Sequence, residues 1–155
     1  MTLVKDAMTK DAATFSPDAS VYDCAKILRE KKISGAPVVD ENGKVIGILS
    51  EADIIKIIES KDININLILP SPFDVLELPV RMKLGLDDVM KSAKKAASAR
   101  ARDAMTRKVF TVNQEDDISE ATKIMAERNI NRLPVMDENG KLVGIITRGD
   151  VIGAI

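Results

Sequence analysis

The feature that most constrains this chain is that it repeats itself. Residues 5–55 lie over residues 102–152 at a constant offset of 97, without a gap. "KDAMT" at 5–9 meets "RDAMT" at 102–106, and "PVVDENGKVIGIL" at 37–49 meets "PVMDENGKLVGII" at 134–146. About 20 of the aligned positions are identical, and about a dozen others exchange one apolar residue for another. The fold must therefore be built from two copies of one unit.

Each copy reads as β-α-β-β-α. An apolar run opens it, Ala12–Phe15 in one copy and Val109–Val112 in the other. A polar N-cap region follows, Pro17-Asp18 or Asp116-Asp117, and then a helix. Val21, Cys24, Ala25 and Leu28 fall at helical spacing, as do Ile118, Ala121, Ile124 and Met125. A strand is predicted over Ala36–Val39 and over Leu133–Met136. "DENG" turns the chain, its Asn-Gly supplying residues that tolerate positive φ. A second strand, Val45–Leu49 or Leu142–Ile146, completes a hairpin, and a short helix closes the unit over Glu51–Ile58 or Arg148–Ala154. A unit of roughly 50 residues cannot bury its sheet alone. The expectation is an α/β (α+β) protein in which two tandem repeats, 1–60 and 101–155, pack with pseudo-twofold symmetry and leave two clefts where they meet.

Residues 61–100 resemble neither copy and form an insertion. Pro70, Pro72 and Pro79 predict an extended, folded-back loop. "LGLDDVMKSAKKAASARAR" then reads as a helix with Leu86, Val89, Met90, Ala93 and Ala97 on one face. Five basic residues and no acids lie between Lys91 and Arg102. Such a run suits either a solvated helix end whose cations complement the dipole or a patch for an acidic partner or nucleic acid. No aromatic residues accompany it, which disfavours stacking on single strands.

Composition narrows the function further. A net charge of −1 gives no general attraction for nucleic acid. There is no His, so the commonest general base and the commonest metal ligand are missing, and with one Cys a zinc site is not expected. Cys24 reads as a small buried hydrophobe in a reducing cytosol. No apolar run approaches the 18 or so residues of a membrane span, and "MTLVKDAMTK" has no signal-peptide core. There is no P-loop and no G-x-S-x-G, and Asp53 and Asp150 would lie apart rather than flank one bond. A cytoplasmic, non-enzymatic protein is expected.

The motif S/T-x-x-D ends both hairpins, as Ser50–Asp53 and Thr147–Asp150. On spacing alone it serves two purposes. It is a capping-box-like helix start, although Asp reaches back less well than Glu. It also sets a hydroxyl and a carboxylate at a helix N-terminus, where the free N–H groups favour phosphate and the acid can accept ribose hydroxyls.

The "DAMT" opening, the pattern I-x-x-x-P-V-x-D-x-x-G-x-h-x-G-h-h-S/T-x-x-D (h, hydrophobic) and the element order together resemble a CBS domain. Two copies resemble a CBS pair, or Bateman module, similar to stand-alone archaeal CBS-domain proteins. The resemblance implies a regulatory module that needs no cofactor and binds an adenosine-containing effector, AMP, ADP, ATP or S-adenosylmethionine and its relatives. It also implies a homodimer formed through the helices, signalling to an effector protein that the sequence does not name. By position, one cleft would use Ile145, Thr147, Arg148, Gly149 and Asp150 with Ala12, Ala13, Ser34 and Pro37. The other would use Ile48, Ser50, Ala52 and Asp53 with Val109, Phe110, Asn131 and Pro134. The apolar members are equally suited to plain core packing, Phe110 especially. Arg132 is a further candidate for phosphate. The basic residues common in the family at the Ser34 and Asn131 positions are missing, which argues against strong triphosphate binding.

The two clefts are not expected to be equal. Arg148 stands where its counterpart is Glu51, so the Asp150 side should prefer a phosphorylated ligand and the Asp53 side an uncharged adenosyl group or none. Two readings of another class remain open at this level: a ligand-free dimeric scaffold for protein contacts, and a weak nucleic-acid binder through residues 91–102.

Overall fold

The computed structural model describes residues 1–59 and 98–155. The predicted loop and helix of the insertion, and most of the basic run 91–102, lie outside the described residues. The elements are α1 (Val4–Ala7), α2 (Val21–Lys31), β1 (Gly35–Val39), β2 (Val45–Ser50) and α3 (Glu51–Glu59), then α4 (Ala101–Ala104), β3 (Val112–Asn113), α5 (Ile118–Arg128), β4 (Arg132–Met136), β5 (Leu142–Thr147) and α6 (Arg148–Gly153). No described helix is long and apolar enough to cross a membrane.

Local chemistry sets these boundaries. Ser20 caps α2 by accepting from Asp23 N (3.0 Å), and Asp117 caps α5 by accepting from Ser119 N (2.8 Å). That bond holds the exposed Asp117 carboxyl below its ordinary range. Both helices end in the left-handed region, at Lys32 (φ 55°) and Asn129 (φ 53°). The two "DENG" turns are built alike. Asp40 Oδ1 accepts from Asn42 N and Lys44 N, both at 2.9 Å, and Asp137 Oδ1 accepts from Asn139 N (2.8 Å) and Lys141 N (2.9 Å). Gly43 and Gly140 take the positive φ each turn requires, 80° and 78°. β1 pairs with β2, and β3, β4 and β5 form a sheet in that order, β3 parallel and β5 antiparallel to β4.

The opening apolar runs are less strand-like than their composition predicts. Val109–Val112 overlaps the two-residue β3 only at Val112, and Ala12–Phe15 yields only a parallel bridge between Phe15 and Val38. The reason lies just upstream. The helical turns α1 and α4 end at Ala7 and Ala104, within "DAMT", and the threonine that closes the motif pairs with a different strand. Thr9 bridges Ile145, and Thr106 bridges Ile48. The residues between must cross from one strand to another instead of extending one; in the first copy Asp11 adopts φ 54° on the way.

Contacts divide the chain into two compact units that cut across the sequence repeats. One holds Met1–Ser16, Ala36–Ile48 and Thr106–Ile155; the other holds Pro17–Gly35 and the described part of Leu49–Met105. In the first unit the arm preceding the first repeat docks on the helix of the second. Ile118 N donates to Thr2 O (2.9 Å), Val4 N to Asp116 O (2.8 Å) and Lys5 N to Gln114 O (3.0 Å). In the other unit the arm preceding the second repeat docks on the helix of the first. Val21 N donates to Ala99 O (2.8 Å), Ala101 N to Ala19 O (2.8 Å) and Arg102 N to Pro17 O (3.0 Å). Every bond of one set maps onto the other by the offset of 97. The arms are exchanged.

Burial follows the exchange. Val4 is fully buried in a cluster with Val112, Ala121, Met125, Leu133, Val135, Ile146 and Val151. Its counterpart Ala101 is fully buried, and α4 packs on α2 and α3. The Lys5 ammonium bonds Glu115 (2.9 Å), which raises the lysine above its ordinary value. Cys24 is buried as expected, and burial pushes its thiol up to about 11, so it stays protonated and unreactive at neutral pH. Because Val4 fills the core of the second repeat, Val4→Ala is expected to cost about 2 kcal/mol in chemical denaturation. A frayed N-terminal residue would cost nothing measurable.

Candidate ligand-binding site

β5 runs into α6 at Thr147, whose extended backbone (φ −109°, ψ 166°) makes it the N-cap. Asp150 N donates to Thr147 Oγ1 (3.1 Å), and Thr147 N donates to Asp150 Oδ2 (2.9 Å). This is a reciprocal capping box, closed by an Asp at the position where Glu is usual. A third donor arrives from the exchanged arm: the Thr9 hydroxyl donates to the same Oδ2 at 3.4 Å. Asp150 Oδ1 accepts no hydrogen bond among the described residues, and the Thr147 hydroxyl donates to no described acceptor. Arg148 and Gly149 are exposed, and Asp150 is half-buried.

The backbone around this cap is tightly registered. Thr9 N donates to Ile145 O (2.8 Å), and Ile145 N donates back to Thr9 O (3.0 Å). Gly144 permits that approach: a Cβ there would stand 2.7 Å from Thr9 O and 2.9 Å from Met8 Sδ. From Thr9 the chain crosses through half-buried Ala12 and Ala13 to Phe15, whose N donates to Pro37 O (2.9 Å). Of the residues expected at this site, Ile145, Thr147, Arg148, Gly149, Asp150, Ala12, Ala13 and Pro37 all belong to one unit. Ser34 belongs to the other, where its carbonyl accepts from Glu51 N (2.9 Å). Arg132 lies directly opposite Thr147 in the β4–β5 register, and Arg148 N donates to Asn131 O (2.9 Å).

The matching cap at Ser50 differs in chemistry. Asp53 N donates to Ser50 Oγ (3.2 Å), and Ser50 N and Ser50 Oγ both donate to Asp53 Oδ2 at 3.0 Å. The Ser50 hydroxyl proton is thus spent on its own cap. Asp53 is buried, and Glu51 and Ala52 are exposed. Ser50, Ala52 and Asp53 lie in one unit, and Ile48, Val109, Phe110, Asn131 and Pro134 in the other. Pro134 is fully buried. Ile48 exchanges backbone bonds with Thr106, 3.0 and 2.8 Å. Phe110 packs on the core and meets two cations, Arg128 Cζ at 4.7 Å and Lys108 Nζ at 5.6 Å from the ring centroid. Sequence reasoning singled out neither cation, nor Thr9. The signal available for Thr9 was its place in both copies of "DAMT".

Known proteins match this arrangement. The CBS domain family model matches residues 4–60 and 101–155. An uncharacterized protein of Methanocaldococcus jannaschii is 44% identical over 153 residues, covering 99% of this chain and 90% of its own. The chloroplastic CBS domain-containing protein CBSX1 of Arabidopsis thaliana is 34% identical over 97% of this chain and 63% of its own. Among solved structures, CBSX2 in complex with AMP superposes with a TM-score of 0.71 at 28% identity, covering 99% of this chain and 96% of its own. The CBS domain pair of MJ0100 with 5′-methylthioadenosine and S-adenosyl-L-methionine gives 0.68 at 27%, covering 99% and 94%.

Proposed function

The chain belongs to the CBS-domain family and carries two of its domains, and from that premise we propose that it is a sensor holding an adenosine-containing ligand at the Thr147–Asp150 cap. One observation carries the reading: the cap engages Asp150 through Oδ2 alone. The carboxylate is held by that oxygen, and the acceptor sites of Oδ1 are left for ribose hydroxyls. The relatives solved with AMP and with S-adenosyl-L-methionine support the ligand class. Capping and binding are then one use of one motif.

The phosphate preference rests on two differences between the caps. Arg148 stands beside the Thr147 cap and Glu51 beside the Ser50 cap. The Thr147 hydroxyl has a proton to offer an oxyanion, whereas the Ser50 hydroxyl donates to Asp53. The Asp150 side is therefore the one suited to a phosphorylated nucleotide. The nucleic-acid reading loses support, since Arg102 forms an ion pair with Asp18 and Arg100 donates to the Asp18 carbonyl (3.2 Å).

The protein works by binding and not by catalysis, as two copies paired through their helices. Ile55 on α3 and Ile152 on α6 occupy equivalent positions, and both stay exposed, 41% and 62%. Ile152→Glu should shift sedimentation towards the monomer; an unchanged sedimentation coefficient counts against this face. A ligand alters the signal to an effector protein only if it binds two states of the sensor unequally.

With no Trp and one Tyr, the protein absorbs weakly at 280 nm. A co-purified adenine nucleotide would dominate the spectrum near 260 nm. In calorimetry, Asp150→Ala should weaken AMP at least tenfold; unchanged affinity removes Asp150 from the site. Arg148→Glu should weaken AMP about tenfold while leaving 5′-methylthioadenosine little changed. Equal losses for both ligands would place Arg148 away from the phosphate.

A further inference from the structure

The Asp150 side chain has one described partner outside its own cap, and that partner comes from the arm that precedes the other repeat. We propose that Thr9 is a positioning residue for the ligand-binding carboxylate, so that the arm of the first repeat completes the binding site of the second. The inference rests on the reading of Asp150 as the ribose acceptor.

The capping box alone ties Asp150 by a single bond, Thr147 N to Oδ2. A carboxylate held through one oxygen by one donor still rocks about its terminal torsion, which is broad and shallow. A second donor on the same oxygen, arriving from another element, restricts that rotation and fixes where Oδ1 stands. Preorganisation of this kind strengthens binding by lowering the ordering cost of the acceptor.

Thr9 is itself held in register. Its N–H and C=O are both bonded to Ile145, and the absence of a side chain at Gly144 lets Met8 and Thr9 lie against β5. Upstream, Val4 is locked in the core and Lys5 is bonded to Glu115. The hydroxyl is thus delivered to Asp150 by an arm whose position is decided elsewhere. At 3.4 Å its bond is long, which suits a steering contact better than a strong structural one.

The test uses the full chain and titrates AMP and 2′-deoxy-AMP in a calorimeter. Thr9→Val keeps the shape and removes the donor; Thr9→Ser keeps the donor. Thr9→Val should weaken AMP about three- to tenfold and narrow its preference over 2′-deoxy-AMP. Thr9→Ser should stay within about twofold of the parent on both counts. The unliganded melting temperature should move little in either variant, because Thr9 is exposed. Gly144→Ala, which pushes the arm away, should weaken AMP at least as much as Thr9→Val. The inference is overturned if Thr9→Val and Gly144→Ala bind AMP like the parent, or if Thr9→Ser fails as badly as Thr9→Val. If Asp150→Ala loses AMP while Thr9→Val does not, only the positioning role falls. If Asp150→Ala keeps full affinity, the underlying reading falls and this inference with it.

Discussion

The structure depends on the exchange of arms between its repeats. A single β-α-β-β-α unit leaves one helix end and part of its core uncovered, and it is too small to close that gap itself. Val4 and Ala101 close it reciprocally, each fully buried beneath elements of the other copy. The backbone bonds of the two docked arms correspond one for one at the repeat offset. A duplicated chain can satisfy both copies in this way with one set of contacts used twice. One outcome is that Thr9, which ends the first arm, is set down on β5 with its hydroxyl 3.4 Å from Asp150 Oδ2.

In the proposed reading, that carboxylate turns a stability device into a binding device. Asp is short for a capping box, yet both hairpins close one, each engaging a single oxygen in the local bond. The caps then diverge by their neighbours. Ser50 turns its hydroxyl inward on a buried Asp53, with Glu51 alongside. Thr147 keeps its proton, with Arg148 alongside and Arg132 across the ladder. The two caps therefore present different electrostatic faces, and the difference lies in where each hydroxyl donates and in the residue that follows each cap.

Much of this was legible in the sequence, for physical reasons. The hairpins follow from "DENG", whose Asp carboxylate and positive-φ Gly admit few alternatives. The helices α2 and α5 follow from apolar spacing and from the caps Ser20 and Asp117. The exchange of arms was not legible. The two copies of "DAMT" and their docking surfaces are so alike that either pairing satisfies the same pattern. The truncated opening strands follow from the same blind spot, since an apolar run carries no record of where the residue before it is pinned. The Arg128 cation over Phe110 was hidden because it sits a whole helix away in sequence.

The most direct test of the account is a crystal structure of the protein with AMP bound. A ribose hydroxyl is expected about 2.5–3.0 Å from Asp150 Oδ1, with Thr9 still on Oδ2 and the phosphate beside Thr147 and Arg148. An ordered AMP elsewhere, with Asp150 making only its cap, would contradict it.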